Sequence, residues 1–330
     1  MNILIVKLSS LGDVVHAMPA VQDIRRTLPQ AHIDWVVEKG FAPLVQRCAG
    51  VRRVIPCELR RWRKAPFAAA TRAQWKTFKA ELQAEAYDAV IDLQGLTKSA
   101  LVAWLARLAP GGQRYALANR TEGSGYEAPT RWVADVAVPI EAHVHAVRRS
   151  RLLCARALAY ALPVQEVYGL YPQAASERVA VGMIAVRPVV ALVHGTSRAD
   201  KQWPENHWVA LAQRLGEAGY DVALLHGSDE EERRSHAMAQ QMAHAVVWPR
   251  LPLDALTDAL AACAGVIGVD SGLSHIAVAL DLPHVQLYNF DTAWRTGPVD
   301  RSRQRCVHAQ PVPGLEAVWS AWLDVTAQAH

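Results

Sequence analysis

Val266-Ile267-Gly268-Val269-Asp270-Ser271-Gly272-Leu273-Ser274-His275 carries the chain from one kind of structure into another within ten residues. An apolar run of strand length stops at a polar turn, and Leu273, Ile276, Ala277 and Leu280 then recur on one helical face. A strand that feeds a helix directly is the first half of a βαβ unit, so the sheet is parallel and covered by helices. The turn also has a chemistry. Backbone N–H groups at Ser271, Gly272 and Leu273, with the positive end of the helix dipole, suit a diphosphate. Asp270 lies beside that position, where it can accept hydrogen bonds from sugar hydroxyls. The plainer reading of the same residues is a polar N-cap with a packing glycine.

The alternation continues in both directions. Val189–Val193, Val222–Leu225, Val246–Val247 and Val285–Leu287 read as strands, with helices from about Pro204, Glu230, Leu253 and Gly272 and a last one over Leu315–Ala327. The first half repeats the scheme with strands at Ile3–Val6, Ile33–Val37, Val54–Ile55, Ala89–Leu93 and Tyr115–Ala118. Val14, Ala17, Met18, Val21, Ile24 and Leu28 mark its clearest helix, which Pro29 ends. A helix over His143–Ala161 leads into Pro163–Ser176, which reads as the linker. The expected fold class is therefore α/β: two Rossmann-like domains whose parallel sheets face each other across a cleft. The site is expected in that cleft, outside the carboxyl ends of the strands.

Composition narrows the function. Of 330 residues 51% are apolar and 20% charged, which excludes disordered and fibrous classes. Five cysteines, odd in number and outside any C-x-x-C pair, argue against a disulfide scaffold or zinc site and fit a reducing compartment. Residues 2–6 read as a strand, not a secretory signal, and no apolar run approaches the ~20 residues of a spanning helix. Net charge is +4, but Arg52 to Lys79 holds nine basic residues against Glu58 alone. That window, interleaved with Trp62, Phe67, Trp75 and Phe78, suits an anionic lipid interface. Nucleic acid or a solvated helix face are the competing readings.

Other loops carry candidate chemistry. Lys7-Leu8-Ser9-Ser10-Leu11-Gly12-Asp13 follows the first strand. Asp13 there reads either as a helix N-cap or as a general base. Glu38 stands where a nicotinamide-binding domain keeps its ribose acid, but the loop lacks Gly-x-Gly-x-x-Gly, and a Walker sequence is absent too. After Val193, Thr196, Ser197 and Lys201 suit phosphate oxygens, with Trp203-Pro204 as a structural helix start. Gly227-Ser228-Asp229-Glu230-Glu231-Glu232 offers acids that complement a helix dipole or hold a ribose diol. Asp-x-Asp does not occur, so no metal bridge to a diphosphate is expected.

In these motifs the chain resembles the bacterial heptosyltransferases of lipopolysaccharide inner-core synthesis. The resemblance covers most of the chain. It rests on Lys7-x-Ser-Ser-x-Gly12-Asp13, Asp34-Trp-Val-Val-Glu38, Arg60-Arg-Trp-Arg-Lys64, Asp88-Ala-Val-Ile-Asp-x-Gln94-Gly95, Lys201-x-Trp-Pro and Asp270-Ser-Gly-Leu-Ser-His275. It implies a GT-B glycosyltransferase fold and transfer of L-glycero-D-manno-heptose from ADP-heptose, with inversion, to the Kdo residue of Kdo-lipid A. ADP-heptose is then a substrate, and no cofactor or metal is implied. The Arg60–Lys64 string favours addition of the first heptose; addition of the second, or a nicotinamide-dependent sugar-nucleotide epimerase, are the alternatives. The resemblance makes Asp13 and Lys201 catalytic, and assigns the donor to Thr196, Ser197, Lys201, Glu230, Asp270, Ser271, Gly272, Leu273 and His275. Ser10, Gly12, Arg60, Arg61, Lys64 and Arg120 would take the acceptor. The implied domains are 1–165 for the acceptor, 166–312 for the nucleotide sugar, and a C-terminal helix in 313–330 that packs back on the first domain. The implied setting is a monomer, peripheral on the cytoplasmic face of the inner membrane, binding no nucleic acid. Departures from the pattern are Ser271 in place of a frequent Thr, Asn289-Phe290-Asp291-Thr292 in place of Gly-Pro-Thr-Asp, and a Gly227–Glu230 turn one residue short.

Overall fold

The computed structural model describes residues 1–173, 187–299 and 302–327. They divide into two compact units, Met1–Leu170 and Tyr171–His330.

The first unit contains β1 (Asn2–Val6), β2 (His32–Glu38), β3 (Val51–Cys57), β4 (Tyr87–Asp92), β5 (Leu108–Leu117) and β6 (Val136–Val138). Its helices are α1 (Leu11–Thr27), α2 (Ala42–Val45), α3 (Leu59–Lys64), α4 (Ala69–Gln83), α5 (Thr97–Leu105), α6 (Pro129–Val133) and α7 (Ala146–Ala157). The strands are parallel in the order β3-β2-β1-β4-β5-β6, with Ile3 opposite Ile33 on one side and Ala89 on the other. Ile3, Leu4, Ile5 and Val6 are fully buried, as a central strand covered on both faces requires.

The second unit contains β7 (Val189–Val193), β8 (Asp221–Leu224), β9 (Ala245–Val247), β10 (Gly265–Val269), β11 (His284–Tyr288) and β12 (Gln304–His308). Its helices are α8 (Glu205–Glu217), α9 (Asp229–Ala239), α10 (Leu253–Ala261), α11 (Gly272–Ala279), α12 (Ala293–Thr296) and α13 (Leu315–Ala327). The order is β12-β11-β10-β7-β8-β9, again all parallel. Counted along each unit, both sheets are 3-2-1-4-5-6, the Rossmann order. The order reverses between β1 and β4, and again between β7 and β10. Loops leaving the carboxyl ends of such strands diverge, which is where sheets of this order bind ligands.

Three expectations change in detail. The family resemblance implied that the C-terminal helix packs on the first domain. In the structure the buried face of α13, with Val318, Ala321, Trp322 and Val325, belongs to the core of the second unit with Val285, Leu287 and Leu215. Gly265 makes room for it: a Cβ there would lie 2.6 Å from the Trp322 ring. The linker begins later than Pro163. Arg151 donates to the carbonyls of Pro163 and Gln165, and Ala49 N–H donates to Gly169 O at 2.8 Å, so the chain to Leu170 stays with the first unit. The remainder of the expected linker, 174–176, lies outside the described residues. Finally, the aromatics interleaved in the basic window mostly point inward. Trp62 and Phe78 are buried and Trp75 is half-buried against them, so only Phe67 of the four is largely exposed, while one edge of Trp62 and Trp75 lines a cavity.

Candidate active site

The loop after β1 crosses the first switch point. Leu8 N–H and Ser9 N–H both donate to Gln94 Oε1 at 3.0 Å, which ties it to the loop after β4. Gln94 is itself fixed: its N–H donates to Asp92 Oδ1 at 2.8 Å, beside Gly95 N–H at 3.1 Å. Asp92 also accepts from Ser99 Oγ at 2.9 Å. Burial pushes the Asp92 carboxyl up to about 6, although these hydrogen bonds and Lys7 pull the other way.

Asp13 sits at the third position of α1, and Ser10 is the N-cap residue. The N-cap reading of Asp13 is thereby corrected. Its Oδ2 accepts from Ser10 N–H at 3.1 Å and Ser10 Oγ at 2.9 Å. Its Oδ1 faces the buried Lys7 ammonium at 3.4 Å and Arg149 at 3.9 Å. Lys7 Nζ also donates to Leu93 O at 3.0 Å. Burial works against the Asp13 charge, but the Lys7 ammonium and the Ser10 hydrogen bonds outweigh it and hold the carboxyl well below the usual range. Burial lowers the Lys7 pKa, which Asp13 partly offsets. The side chain of Asp13 is still 36% exposed, so one face of an ionised carboxylate meets solvent.

Of the acceptor residues expected from the sequence, Ser10 and Gly12 lie in this loop. Arg60 lines a cavity beside α3 together with Arg63, which the sequence placed only in the basic window, and Lys98, which it did not mark. Lys98 Nζ donates to Ser9 Oγ at 2.7 Å and so joins that cavity to the Asp13 loop. Arg61 turns to Glu58 at 2.9 Å and to Gln74, and Lys64 ends α3 exposed. Arg120 is exposed in the loop after β5 and donates to Ser124 O at 3.3 Å. Arg52 and Arg53 are taken up by Asp34, which also accepts from Tyr87 OH at 2.9 Å.

The second switch point gathers several of the residues expected to hold the donor. Lys201 Nζ lies 2.5 Å from Asp270 Oδ2, and His275 Nε2 lies 3.4 Å from Oδ1. Burial raises the Asp270 pKa, but His275 and Lys201 override it and hold the carboxyl below its ordinary range. Thr196 Oγ1 donates to Asp270 O at 3.4 Å, joining the loops after β7 and β10. Ser271 caps α11, and its Oγ is buried without a hydrogen-bond partner among the described residues. Ser274 Oγ donates to Val269 O at 2.6 Å, which anchors the turn from below. Ser197 lies exposed in the loop beside Thr196. Trp203 is buried, with Nε1 donating to Pro313 O at 2.8 Å, and Pro204 caps α8, as the structural reading of that pair required.

Two residues outside the expected donor set complete this cluster: Asn289, which the sequence marked only as a departure from the family pattern, and Thr296, which it did not mark. Asn289 Nδ2 donates to Asp200 O at 3.0 Å and Gln202 O at 2.9 Å, bracketing Lys201. Thr296 Oγ1 donates to Asp270 Oδ1 at 3.5 Å. A polar residue directly after the fully buried strand β11 was the available signal for Asn289. The acids of α9 also sort differently. Glu230 is 76% exposed and pairs with Arg234 at 3.8 Å. Glu231 accepts from Gly227 N–H at 2.7 Å and lies so close to the β7 loop that a Cβ on Gly195 would be 2.5 Å from its Oε1. Among the described residues no group of three or more His, Cys, Asp or Glu side chains is placed to hold a metal ion.

Two Rossmann-ordered units with a carboxylate loop at one switch point and a cationic, hydroxyl-lined loop at the other define a nucleotide-sugar glycosyltransferase of the GT-B class. The profile of glycosyltransferase family 9 (heptosyltransferase) matches residues 75–318. The chain belongs to that family. It is 40% identical over 292 residues to lipopolysaccharide heptosyltransferase 1 of Escherichia coli K12, covering 87% of this chain and 88% of that protein. Identity to lipopolysaccharide heptosyltransferase 2 of the same strain is 27% over 300 residues, 87% of this chain and 82% of that protein. The structure of E. coli heptosyltransferase WaaC with ADP superposes with a TM-score of 0.82 at 34% identity, covering 100% of this chain and 97% of that one.

Proposed function

We propose that this enzyme transfers heptose from ADP-heptose to the Kdo residue of Kdo-lipid A, adding the first heptose with inversion. The observation that carries this reading is Asp13, held ionised by Lys7 and Ser10 at the first switch point, in a chain whose second switch point carries Lys201, Asp270 and His275. The greater identity to heptosyltransferase 1 than to heptosyltransferase 2 supports the first over the second addition.

In this reading Asp13 takes the proton of the acceptor hydroxyl as it attacks the anomeric carbon. A carboxylate with a depressed pKa stays ionised through the neutral range and accepts the proton only as the attacking oxygen becomes acidic. Lys201, Thr196, Ser197 and the N–H groups of Ser271, Gly272 and Leu273 hold the departing ADP, where negative charge grows as the glycosidic bond breaks. Asp270 orients Lys201 and His275 and accepts from the sugar. Glu231, in place of Glu230, receives the ribose hydroxyls. Ser10, Gly12, Arg60 and Arg120 meet the anionic acceptor, to which guanidinium groups are well matched. No helix among the described residues is long and apolar enough to cross a membrane. The exposed cations of α3 and α4 support a peripheral position on the cytoplasmic face of the inner membrane.

The test is purified protein with ADP-heptose and Kdo-lipid A, with and without chelator, following ADP release. Heptose transfer that survives chelation is expected. Absence of transfer to this acceptor, with release onto another, would replace the reading.

A further inference from the structure

A cavity of about 570 Å³ opens in the first unit between α3, α4 and α5. That volume is within the ~300–1,000 Å³ of small-molecule sites. Its walls are apolar, made by Leu59, Trp62, Pro66, Trp75 and Leu101. They are also firm. The Trp62 and Trp75 rings meet edge-on at 5.7 Å, and Phe78 backs both at 5.5 and 5.8 Å. The polar atom of Trp62 is already used, since Nε1 donates to Gln74 Oε1 at 3.0 Å. The charged lining residues are Arg60, Arg63, Arg72 and Lys98, and no carboxylate is among them. Four cations over a water-exposed apolar wall are stabilised together by one kind of partner, an anionic head on a hydrocarbon chain.

The surroundings agree with that chemistry. Leu101 is 42% exposed at the rim, Trp104 follows one helical turn later at 60%, and Phe67, between α3 and α4, is 87% exposed. Aromatic rings beside arginines are the composition of a membrane interface. The cavity also adjoins the reaction loop through the bond from Lys98 to Ser9.

We propose that this pocket takes one hydrocarbon chain of an anionic lipid, with the head group against Arg60, Arg63 and Arg72. The inference rests on the reading of the chain as a transferase acting on a lipid-linked acceptor, and adds to it a site for the lipid's apolar part. The chain displaces water from Trp62, Trp75 and Leu101, and the rim fixes its depth.

Calorimetric titration with alkyl phosphates, below their micelle concentrations, tests it on the full chain. From hexyl to dodecyl phosphate, affinity is expected to rise about fourfold per methylene until the pocket is full. Dodecyl maltoside is expected to bind at least tenfold more weakly than dodecyl phosphate, and inorganic phosphate more weakly still. Thr71→Trp, which fills the pocket, and Leu101→Glu, which charges its rim, are each expected to weaken dodecyl phosphate binding tenfold or more. Affinity independent of chain length, or unchanged in both variants, overturns the proposal. Two further arms find the source of the chain. If it belongs to the acceptor, both variants raise KM for acylated Kdo-lipid A and leave KM for the deacylated acceptor unchanged. If it belongs to the bilayer, they lose binding to phosphatidylglycerol vesicles without acceptor, and both KM values hold. A wild-type protein that transfers heptose to neither acceptor removes the proposed reaction, whereas the alkyl phosphate series still decides the pocket.

Discussion

Asp13 shows what one carboxylate gains from a neighbour six residues away. Sequence left it between a helix cap and a base, because nothing in the local spacing says that Lys7 turns back beneath the loop. With Ser10 as the cap residue, Asp13 receives two hydrogen bonds and an ammonium, and still presents a face to solvent. Asp13→Asn is expected to lower turnover roughly 10²–10⁴-fold in a steady-state assay, with ADP-heptose affinity little changed. Lys7→Met tests the origin of the charge. The Asp13 pKa is depressed, so the base form persists as pH falls; without the ammonium the acid limb of the kcat/KM profile is expected to move to higher pH. The same limit on legibility governs α9. Three consecutive glutamates are indistinguishable as letters, but a helix aims each about 100° from the next, and only Glu231 reaches the Gly195 loop. Glu231→Gln is expected to raise the donor KM about ten- to hundredfold, the worth of a hydrogen bond to a charged group, while Glu230→Gln leaves it unchanged.

At the scale of elements, β1, β10 and α1 were legible because burial on both faces, or on one helical stripe, writes itself as an apolar run or a 3.6-residue repeat. Of the four strands at the sheet margins, β3 and β9 show a short apolar pair, but β6 and β12 carry no such record. β12 is Gln304-Arg305-Cys306-Val307-His308 and β6 is three residues long, and both were missed. The helices α3 and α4 were hidden by their cations, although Trp62, Phe78 and Leu82 form a buried stripe. The loops are held by polar groups that sequence cannot pair, and Asp92 is the clearest of these. Its pKa stands at about 6, above the unfolded value, so between about pH 4 and 6 the folded state binds more protons than the unfolded state. Stability from this group is thus full below that window and lost as pH rises through it, by roughly 3 kcal/mol. Asp92→Asn keeps an acceptor for Gln94 and Gly95 N–H and removes the titration. The stability difference between variant and parent, from urea unfolding at pH 4 and pH 7, is expected to shift in favour of the variant at the higher pH. A difference that is the same at both would show that Asp92 is ionised throughout.

On the scale of the whole molecule, the same strand order occurs twice, and the proposed function gives each copy a different use. The uneven charge visible in the sequence is redistributed by folding: Arg52 and Arg53 neutralise the buried Asp34 and Arg61 pairs with Glu58, while Arg60, Arg63 and Arg72 of the window line the α3–α4 cavity. The second unit has its own core, closed by α13, and in the proposed function its loops hold the donor. Ligand and core mutations are therefore expected to act on the same thermal transition. Trp322→Ala removes a fully packed ring from the face that α13 presents to β11 and β12, at a cost of about 3–5 kcal/mol. ADP at about a hundred times its Kd stabilises whichever unit holds it by about 2.7 kcal/mol. In scanning calorimetry of the intact chain, the component that Trp322→Ala lowers is expected to be the component that ADP raises, and Lys201→Ala should abolish most of the ADP shift without moving the ligand-free transition by a comparable amount. ADP raising instead a component insensitive to Trp322→Ala would place the nucleotide in the first unit and assign Lys201 and Asp270 to structure alone.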